Sequence, residues 1–168
     1  MNPKLWQRLQ RQLAPGELRL DVSTLTAHSG DKWFVTGTPE AVALPRSAKS
    51  VSTILRFAHR HQIPVTPRGA GYGYVGGCVP VRGGIVLSTA RMRRIREINE
   101  HDFVAVIQPG VITANLQNKA EAKGLYYPPD PASRADCSLG GNIATNAGGP
   151  RSLKYGVTSD YVLGLQFA

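Results

Sequence analysis

The 168 residues are 42% hydrophobic and 18% charged, which is typical of a folded globular domain and excludes a disordered chain. The formal net charge of +9 makes nucleic acid, anionic lipid and a phosphate-rich cofactor candidate partners. Cys78 and Cys137 form no metal or redox motif, so we expect no metal site and a cytoplasmic setting. No run approaches the ~20 apolar residues of a membrane-spanning helix, and we expect no integral membrane segment.

The N-terminal residues predict a short helix within residues 3–13, because apolar side chains recur on one helical face. We expect this face to pack on the protein itself or on a partner, with a membrane-surface helix as the alternative. Residues 14–40 carry repeated Pro and Gly breakers and predict loops and turns. The side chains on the helical face are Leu5, Trp6, Leu9 and Leu13.

The pattern of the remaining chain is typical of an α+β protein. A helix capped by Ser50 and ending near His61 is predicted from its apolar spacing, and a second is predicted from Thr113 to Gly124. Prolines make residues 126–131 an extended loop. Strands are predicted at Ala41–Pro45, Ile63–Pro67, Gly84–Thr89, Arg96–Asn99, Phe103–Ile107 and Tyr161–Ala168, the fourth and fifth forming a hairpin.

A glycine-rich loop follows the second predicted strand at Arg68–Gly77. Gly71–Gly76 satisfies the dinucleotide motif G-x-G-x-x-G, but that motif must open a helix. The nearby Pro80 and Gly83–Gly84 forbid a regular helix, and the sequence contains no P-loop motif. The alternatives left are a nest of backbone N–H groups for a pyrophosphate, in which Arg68 adds charge or braces the loop, and a simple hairpin turn.

A second small-residue stretch spans Asp130–Gly156, and its glycines predict a loop. Between Ser138 and Gly149 nearly every side chain is small, which exposes backbone N–H groups to a ligand. A flexible linker is the alternative, but Leu139 and Ile143 argue against it. The polar groups suited to hydrogen-bonding a heterocyclic ligand are those of Ser138, Asn142, Thr145 and Asn146.

The two stretches together resemble the FAD-binding domain of the vanillyl-alcohol oxidase and p-cresol methylhydroxylase flavoproteins. The resemblance is greatest to the FAD-binding subunit of glycolate oxidase and to D-lactate and D-2-hydroxyglutarate dehydrogenases. It implies a two-subdomain FAD-binding fold over residues 35–168, incomplete at the C-terminus, after an N-terminal extension of residues 1–34. The segments that carry the resemblance are Pro67–Gly71 with Gly76–Gly77, Pro128–Ser133, Gly140–Gly149 and Lys154–Gly156.

The family's pattern implies that the first loop wraps the FAD pyrophosphate, that Gly110 lies beside the adenine, and that the second stretch lines the flavin and its ribityl chain. Tyr72 stands where many relatives have Thr, Ser or a flavin-linking His, so we expect FAD to be bound non-covalently. The cofactor-binding residues implied are Arg68, Gly69, Ala70, Gly71, Tyr72, Gly73, Gly110, Pro131, Ser133, Ser138, Gly140, Gly141, Asn142, Thr145, Asn146, Ala147 and Gly148.

The activity implied is oxidation of a small 2-hydroxy acid, such as glycolate or D-lactate, with hydride transfer to flavin. An electron-transfer subunit is a candidate partner, through which the protein would lie at a membrane periphery. Family members continue into a third cofactor segment and a substrate domain, so we expect an N-terminal fragment without catalytic residues of its own.

Three alternatives stay open. The chain could be a cofactor-binding module without turnover, or a flavoenzyme of the same fold acting on an alcohol, a sugar lactone or an ether lipid. A nucleic-acid-binding domain is supported by charge alone, since no aromatic residues interleave with the basic run Arg91–Arg96. We expect that run to be a solvated turn or strand edge.

Overall fold

The computed structural model describes residues 3–168. The chain forms two compact units, of which one extends as far as Arg91 and also takes in Phe167–Ala168, and the other spans Met92–Gln166. Each unit combines helices with strands, as the predicted α+β class requires. No helix within residues 3–168 has the length and apolar character needed to cross a membrane. The predicted boundary between residues 34 and 35 stays a prediction.

The first unit contains a four-stranded sheet and three α-helices. Its elements are α1 (Pro3–Gln10), β1 (Leu18–Arg19), α2 (Val22–Ala27), β2 (Ala41–Ala43), α3 (Ala48–Arg60), β3 (Val65–Arg68), β4 (Ile85–Ser88) and a 3₁₀ turn (Thr89–Arg91). The strand order is β1-β2-β4-β3, in which β2 and β3 run parallel to β4 and β1 runs antiparallel to β2. All four residues of β4 are buried, because both faces of the sheet are covered: Ile85 and Leu87 lie in the cluster of α1 and α3, and Val86 lies in a cluster with Leu25 of α2.

The core of the first unit confirms the prediction for the N-terminal helix. Trp6 and Leu9 of α1 are buried against Ile54, Phe57 and Ala58 of α3. Burying a large apolar side chain contributes roughly 1.5–3 kcal/mol, so α1 is held by its own unit. The predicted face of α3 is likewise correct, although its N-cap is not.

Two local predictions in this unit are wrong. Ser47, not Ser50, caps α3, because the Ser47 side chain accepts a hydrogen bond from the backbone N–H of Ser50 at 3.1 Å. The Ser50 hydroxyl instead donates to the buried carboxylate of Glu17 at 3.1 Å. Residues 14–40 are also not all loop, since Asp21 caps the short helix α2 and β1 pairs with β2.

The second unit contains a hairpin and three short α-helices. Its elements are β5 (Ile95–Asn99), β6 (Val104–Ile107), α4 (Thr113–Glu121), α5 (Leu139–Thr145), α6 (Ser152–Tyr155) and a 3₁₀ turn (Thr158–Tyr161). The predicted hairpin and the extended loop of residues 126–131 are confirmed. A core of Val111, Leu116 and Leu139 joins α4 and α5 to the inner face of the hairpin.

Three predictions for residues 113–168 are wrong. The second small-residue stretch is not loop throughout, because Leu139–Thr145 forms α5. Thr113 is the first helical residue of α4, and Ile112 occupies its N-cap position without a side-chain bond. Residues 162–168 form no strand, since they pair with none of the strands of residues 3–168, and Leu163 and Phe167 are exposed.

Candidate cofactor site

The loop Arg68–Gly77 leaves the end of β3, and the next regular element along the chain is β4. As predicted, no helix follows the glycines, so a Rossmann-type pyrophosphate site is not formed. The backbone N–H groups of six consecutive residues, Ala70–Val75, have no hydrogen-bond acceptor anywhere in residues 3–168. Consecutive unpaired N–H groups on a turning backbone are the donors from which anion-binding nests are built.

Arg68 acts as a brace beneath this loop. Its Nη1 donates to the carbonyl oxygen of Gly30 at 2.5 Å and to Sγ of Cys78 at 3.4 Å. A Cβ atom on Gly71 would lie 2.3 Å from Nη2 of Arg68, and Gly71 has a φ of +80°. Glycine is therefore favoured at position 71, because the positive φ strains other residues and a Cβ would displace the guanidinium. Of the two roles predicted for Arg68, the contacts support bracing.

The outer side of the loop is open. A Cβ atom added at Gly73 or Gly77 would have no heavy atom within 4 Å. Lys32 lies beside the loop, with Nζ 4.5 Å from the centroid of the Tyr72 ring and its backbone N–H donating to the carbonyl of Gly73 at 3.3 Å. Free N–H donors, open space and a neighbouring ammonium group fit a pyrophosphate.

In the second unit, a tight turn leads from Pro131 into α5. The N–H of Arg134 donates to the carbonyl of Pro131 at 2.8 Å, and the N–H of Cys137 donates to that of Ser133 at 2.8 Å. Ser138 then caps α5 by accepting a hydrogen bond from the N–H of Gly141 at 3.4 Å. These bonds fix the backbone of the predicted flavin-side segment.

Thr113 is the polar centre of this unit. Its hydroxyl is buried, donates to the carbonyl of Cys137 at 3.3 Å and accepts from Nδ2 of Asn142 at 2.7 Å. The Asn142 amide nitrogen is therefore bonded inside the protein. The sequence predicts Thr113 only as a helix cap. Its hydrogen bond with Asn142 joins residues 29 positions apart, and no local sequence pattern indicates such a bond.

Several glycines in the second unit serve close packing. A Cβ on Gly140 would lie 2.6 Å from Cβ of Pro109, and a Cβ on Gly148 would lie 2.6 Å from Oγ of Ser152. The N–H of Gly140 also donates to the carbonyl of Pro109 at 2.8 Å. Gly110 is buried, and its N–H donates to the carbonyl of Met92 at 2.8 Å. These glycines allow α5 and its neighbours to approach closely.

The end of α5 is held by bonds within the unit. Thr145 is exposed and its hydroxyl donates to the carbonyl of Gly141 at 3.0 Å. Asn146 is the left-handed C-cap, with φ 48°, and its Oδ1 accepts from the N–H of Ser159 at 2.9 Å. The N–H of Ala147 donates to the carbonyl of Asn142 at 2.8 Å. This segment is thereby fixed without a ligand.

Titratable groups supply no evident acid–base pair in the described chain. Burial lowers the pKa of His28, whose Nδ1 lies 2.9 Å from the carbonyl oxygen of Thr24, and the nearby Arg68 lowers it further. Burial raises the pKa of Tyr127. Within residues 3–168, no three His, Cys, Asp or Glu side chains are placed to hold a metal ion.

Of the basic run, Arg93 and Arg94 precede β5 and Arg96 lies on it, whereas Arg91 ends the 3₁₀ turn of the first unit. Arg93, Arg94 and Arg96 are exposed, in agreement with the prediction of a solvated strand edge. They lie along an open cavity of about 660 Å³. Proteins that bind single-stranded nucleic acid stack bases on aromatic side chains, and the lining of this cavity includes none. The residues that line the cavity are Arg93, Arg94, Ile95, Arg96, Gln108 and Lys119.

Comparison with known sequences gives a consistent result. The model of the FAD binding domain family matches residues 39–168. The chain is 48% identical over 128 residues to glycolate oxidase subunit GlcD of Bacillus subtilis, covering 76% of this chain and 27% of that protein. It is 41% identical over 167 residues to D-2-hydroxyglutarate dehydrogenase of Stutzerimonas stutzeri, covering 98% and 36%. The chain thus spans about a third of the length of these relatives.

Solved structures confirm the predicted fold. Alkyldihydroxyacetonephosphate synthase superposes with a TM-score of 0.88 at 26% identity, over 97% of this chain and 32% of that one. p-Cresol methylhydroxylase superposes with a TM-score of 0.73 at 21% identity, over 86% of this chain and 29% of that one. The second likeness shows the fold alone, which is the two-subdomain FAD-binding fold expected from the sequence.

Proposed function

The chain belongs to the FAD-binding domain family, and we propose that it binds FAD non-covalently as part of a flavoenzyme that oxidises a small 2-hydroxy acid to the 2-oxo acid. Glycolate and D-lactate are the proposed substrates, because glycolate oxidase and D-lactate dehydrogenase are the names of two of its relatives. The observation that carries the cofactor proposal is the run of unpaired N–H groups at Ala70–Val75.

FAD carries a pyrophosphate, and N–H groups without protein acceptors offer it hydrogen bonds at no cost in internal bonds. The Arg68 guanidinium already bonds to Gly30 and Cys78, so the backbone rather than this side chain is the proposed main contact. The ammonium of Lys32 adds a positive charge beside the loop.

The second unit contributes, in this proposal, the turn from Pro131 to Ser138 and the segment of α5 that follows. The residues of these segments would hold and orient FAD, which when bound would supply the hydride acceptor for oxidation of the substrate. Internal bonds such as the one between Thr113 and Asn142 fix the backbone before the cofactor binds, which reduces the ordering entropy of binding. No residue of this chain is proposed as a catalytic base.

The organisation of the whole protein is also proposed. We assign residues 1–34 to an extension and residues 35–168 to the FAD-binding domain, with the substrate pocket outside this chain. The chain's free cysteines, Cys78 and Cys137, suit a cytoplasmic setting. A relative's designation as a subunit supports an electron-transfer subunit as the partner, which would bring the protein to a membrane periphery.

A valine at position 73 tests the cofactor loop. Gly73 has open space around it and no positive φ, so Gly73→Val adds bulk over the N–H groups without straining the fold. Gly164→Val is the matched control, because Gly164 also has nothing within 4 Å. We expect Gly73→Val to weaken FAD binding at least tenfold in a fluorescence-quenching titration, while the control binds as the parent chain does. Equal affinity in both variants would contradict the proposed loop contact.

A chimera tests the activity. This chain replaces the matching segment of the Bacillus subtilis glycolate oxidase subunit, and the product is assayed for bound flavin and for dye reduction with glycolate or D-lactate. We expect a yellow protein with 2-hydroxyacid-dependent dye reduction. The substrate pocket of the chimera comes from the Bacillus subtilis subunit, so a flavin-loaded chimera without that activity would leave this chain as a cofactor-binding module that does not support turnover. A chimera without flavin, made beside a flavin-loaded parent subunit, would count against FAD binding itself.

A further inference from the structure

We propose that Ser29–Gly37, a segment ahead of the family match at residue 39, clamps the Arg68–Gly77 loop in its FAD-binding conformation, with Asp31 as the positioning residue. The inference rests on the proposed function, because it assigns this segment a role at the same site. It adds an element that neither the family pattern nor the predicted cofactor residues include.

The segment is closed on itself, which makes it a defined structure. The N–H of Gly37 donates to the carbonyl of Ser29 at 2.8 Å, and Gly30 and Thr36 form an antiparallel bridge. At the tip, Oδ1 of Asp31 accepts the N–H of Trp33 at 2.8 Å. The clamp is therefore held by its own hydrogen bonds before it contacts the glycine-rich loop.

Three hydrogen bonds join the clamp to the loop at three separate points. Nη1 of Arg68 donates to the carbonyl of Gly30 at the start of the loop. In the middle, the N–H of Lys32 donates to the carbonyl of Gly73 at 3.3 Å. Towards the end, Oδ2 of Asp31 accepts the N–H of Gly76 at 2.9 Å.

Side-chain contacts follow the same line. The rings of Trp33 and Tyr74 meet edge to face with centroids 5.8 Å apart, and Lys32 lies over the ring of Tyr72. A Cβ on Gly37 would lie 2.6 Å from the carbonyl oxygen of Pro80, so the base of the clamp packs against the backbone just beyond the loop. The clamp thus follows the loop along its whole length.

The loop needs such a support because its own sequence cannot fix it. Glycine loses more conformational freedom on ordering than any other residue, and the N–H groups of Ala70–Val75 make no internal bonds. Without the clamp, the entropy of ordering this loop would oppose cofactor binding. A loop already held at Gly73 and Gly76 binds a pyrophosphate with less loss of freedom.

The charge of Asp31 makes the inference sharply testable. A carboxylate near a phosphate site repels the ligand, so electrostatics alone predicts that removing Asp31 tightens FAD binding. The clamp predicts the opposite, since loss of the carboxylate releases Gly76 and Trp33. The sign of the change in affinity therefore separates the two effects.

The experiment compares Asp31→Ala with Asp21→Ala in the full chain. Asp21 is a matched control because its carboxylate also accepts a backbone N–H, that of Thr24 at 3.0 Å, away from the loop. We expect the dissociation constant for FAD, measured by fluorescence quenching, to rise about tenfold in Asp31→Ala and to stay unchanged in Asp21→Ala. Both variants should show lower urea midpoints, so loss of stability alone would affect them alike.

Amide hydrogen exchange of the FAD-free protein supplies a second reading. The N–H groups of Gly76 and Trp33, which both donate to Asp31, should exchange faster in Asp31→Ala than in the parent chain. Asp31→Asn, which keeps one acceptor oxygen, should lie between the two. Unchanged or tighter FAD binding in Asp31→Ala would overturn the clamp, and so would unaltered exchange of the Gly76 and Trp33 amides. If the parent chain binds no FAD, the proposed function fails, and faster exchange in the variant would then show a clamp without that cofactor.

Discussion

An added methyl group at Gly140 should destabilise the second unit, although alanine is normally the better helix former. Gly140 and Gly141 are consecutive residues in the first turn of α5. At Gly140 a Cβ would lie 2.6 Å from Cβ and 2.9 Å from the carbonyl oxygen of Pro109, well inside the 3.4 Å at which ordinary van der Waals contact begins. At Gly141 its nearest neighbour is the Ser138 hydroxyl at 3.2 Å, the movable end of a side chain.

The two substitutions therefore have opposite expected signs. Replacing glycine by alanine in a helix gains up to about 1 kcal/mol. At Gly140 this is outweighed by overpacking of about 1–3 kcal/mol and by strain on the hydrogen bond from its N–H to Pro109. We expect Gly140→Ala to lower the free energy of unfolding by about 1–2 kcal/mol and Gly141→Ala to leave it equal or slightly higher. Urea denaturation of the FAD-free protein, followed by circular dichroism, measures both. A Gly140→Ala protein as stable as Gly141→Ala would refute the packing argument.

Two further predictions concern the buried Thr113 and the half-buried His28. Thr113→Val removes the acceptor for the buried Asn142 amide and should lower the free energy of unfolding by about 1–3 kcal/mol. Thr113→Ser keeps the hydroxyl and should lower it less. Equal urea midpoints for the two variants would contradict this prediction. Burial lowers the pKa of His28 below its ordinary value of 6.5. Below about pH 6.5 the unfolded chain therefore binds a proton at His28 more readily than the folded chain does, and the free energy of unfolding decreases as the pH falls. The thermal midpoint of His28→Asn should fall less between pH 7 and pH 5 than that of the parent chain. Equal falls in the variant and the parent would count against this role of His28.

Periodic apolar patterns gave correct predictions where local spacing determines burial. The inner face of α3, with Ile54 and Ala58, and the hairpin of β5 and β6 follow from such spacing. Cap positions were harder to predict, because Ser47 and Ser50 are equally good capping residues. Which serine caps the helix depends on Glu17, a residue distant in sequence whose carboxylate accepts a hydrogen bond from the Ser50 hydroxyl.

The failures have a common physical cause in long-range contacts. Helix α5 contains Gly140, Gly141 and Asn142, whose propensities disfavour a helix, and it forms because Leu139 is buried and Asn142 bonds to Thr113. The bond between Asp31 and Gly76 likewise joins residues 45 positions apart. The small residues after Arg68 predicted which loop carries the free N–H groups, but no sequence pattern indicated what supports that loop.

The edges of the first unit's sheet have a consequence for self-association. Within residues 3–168, β1 and β3 are the outer strands, and exposed strand edges are templates for pairing with another chain. Strand β1 is only two residues long, and β3 contains Pro67, which has no N–H to donate. Neither edge offers a continuous row of hydrogen-bonding groups to an incoming strand. Strand β3, which leads into the glycine-rich loop, is thus also protected against edge-to-edge aggregation.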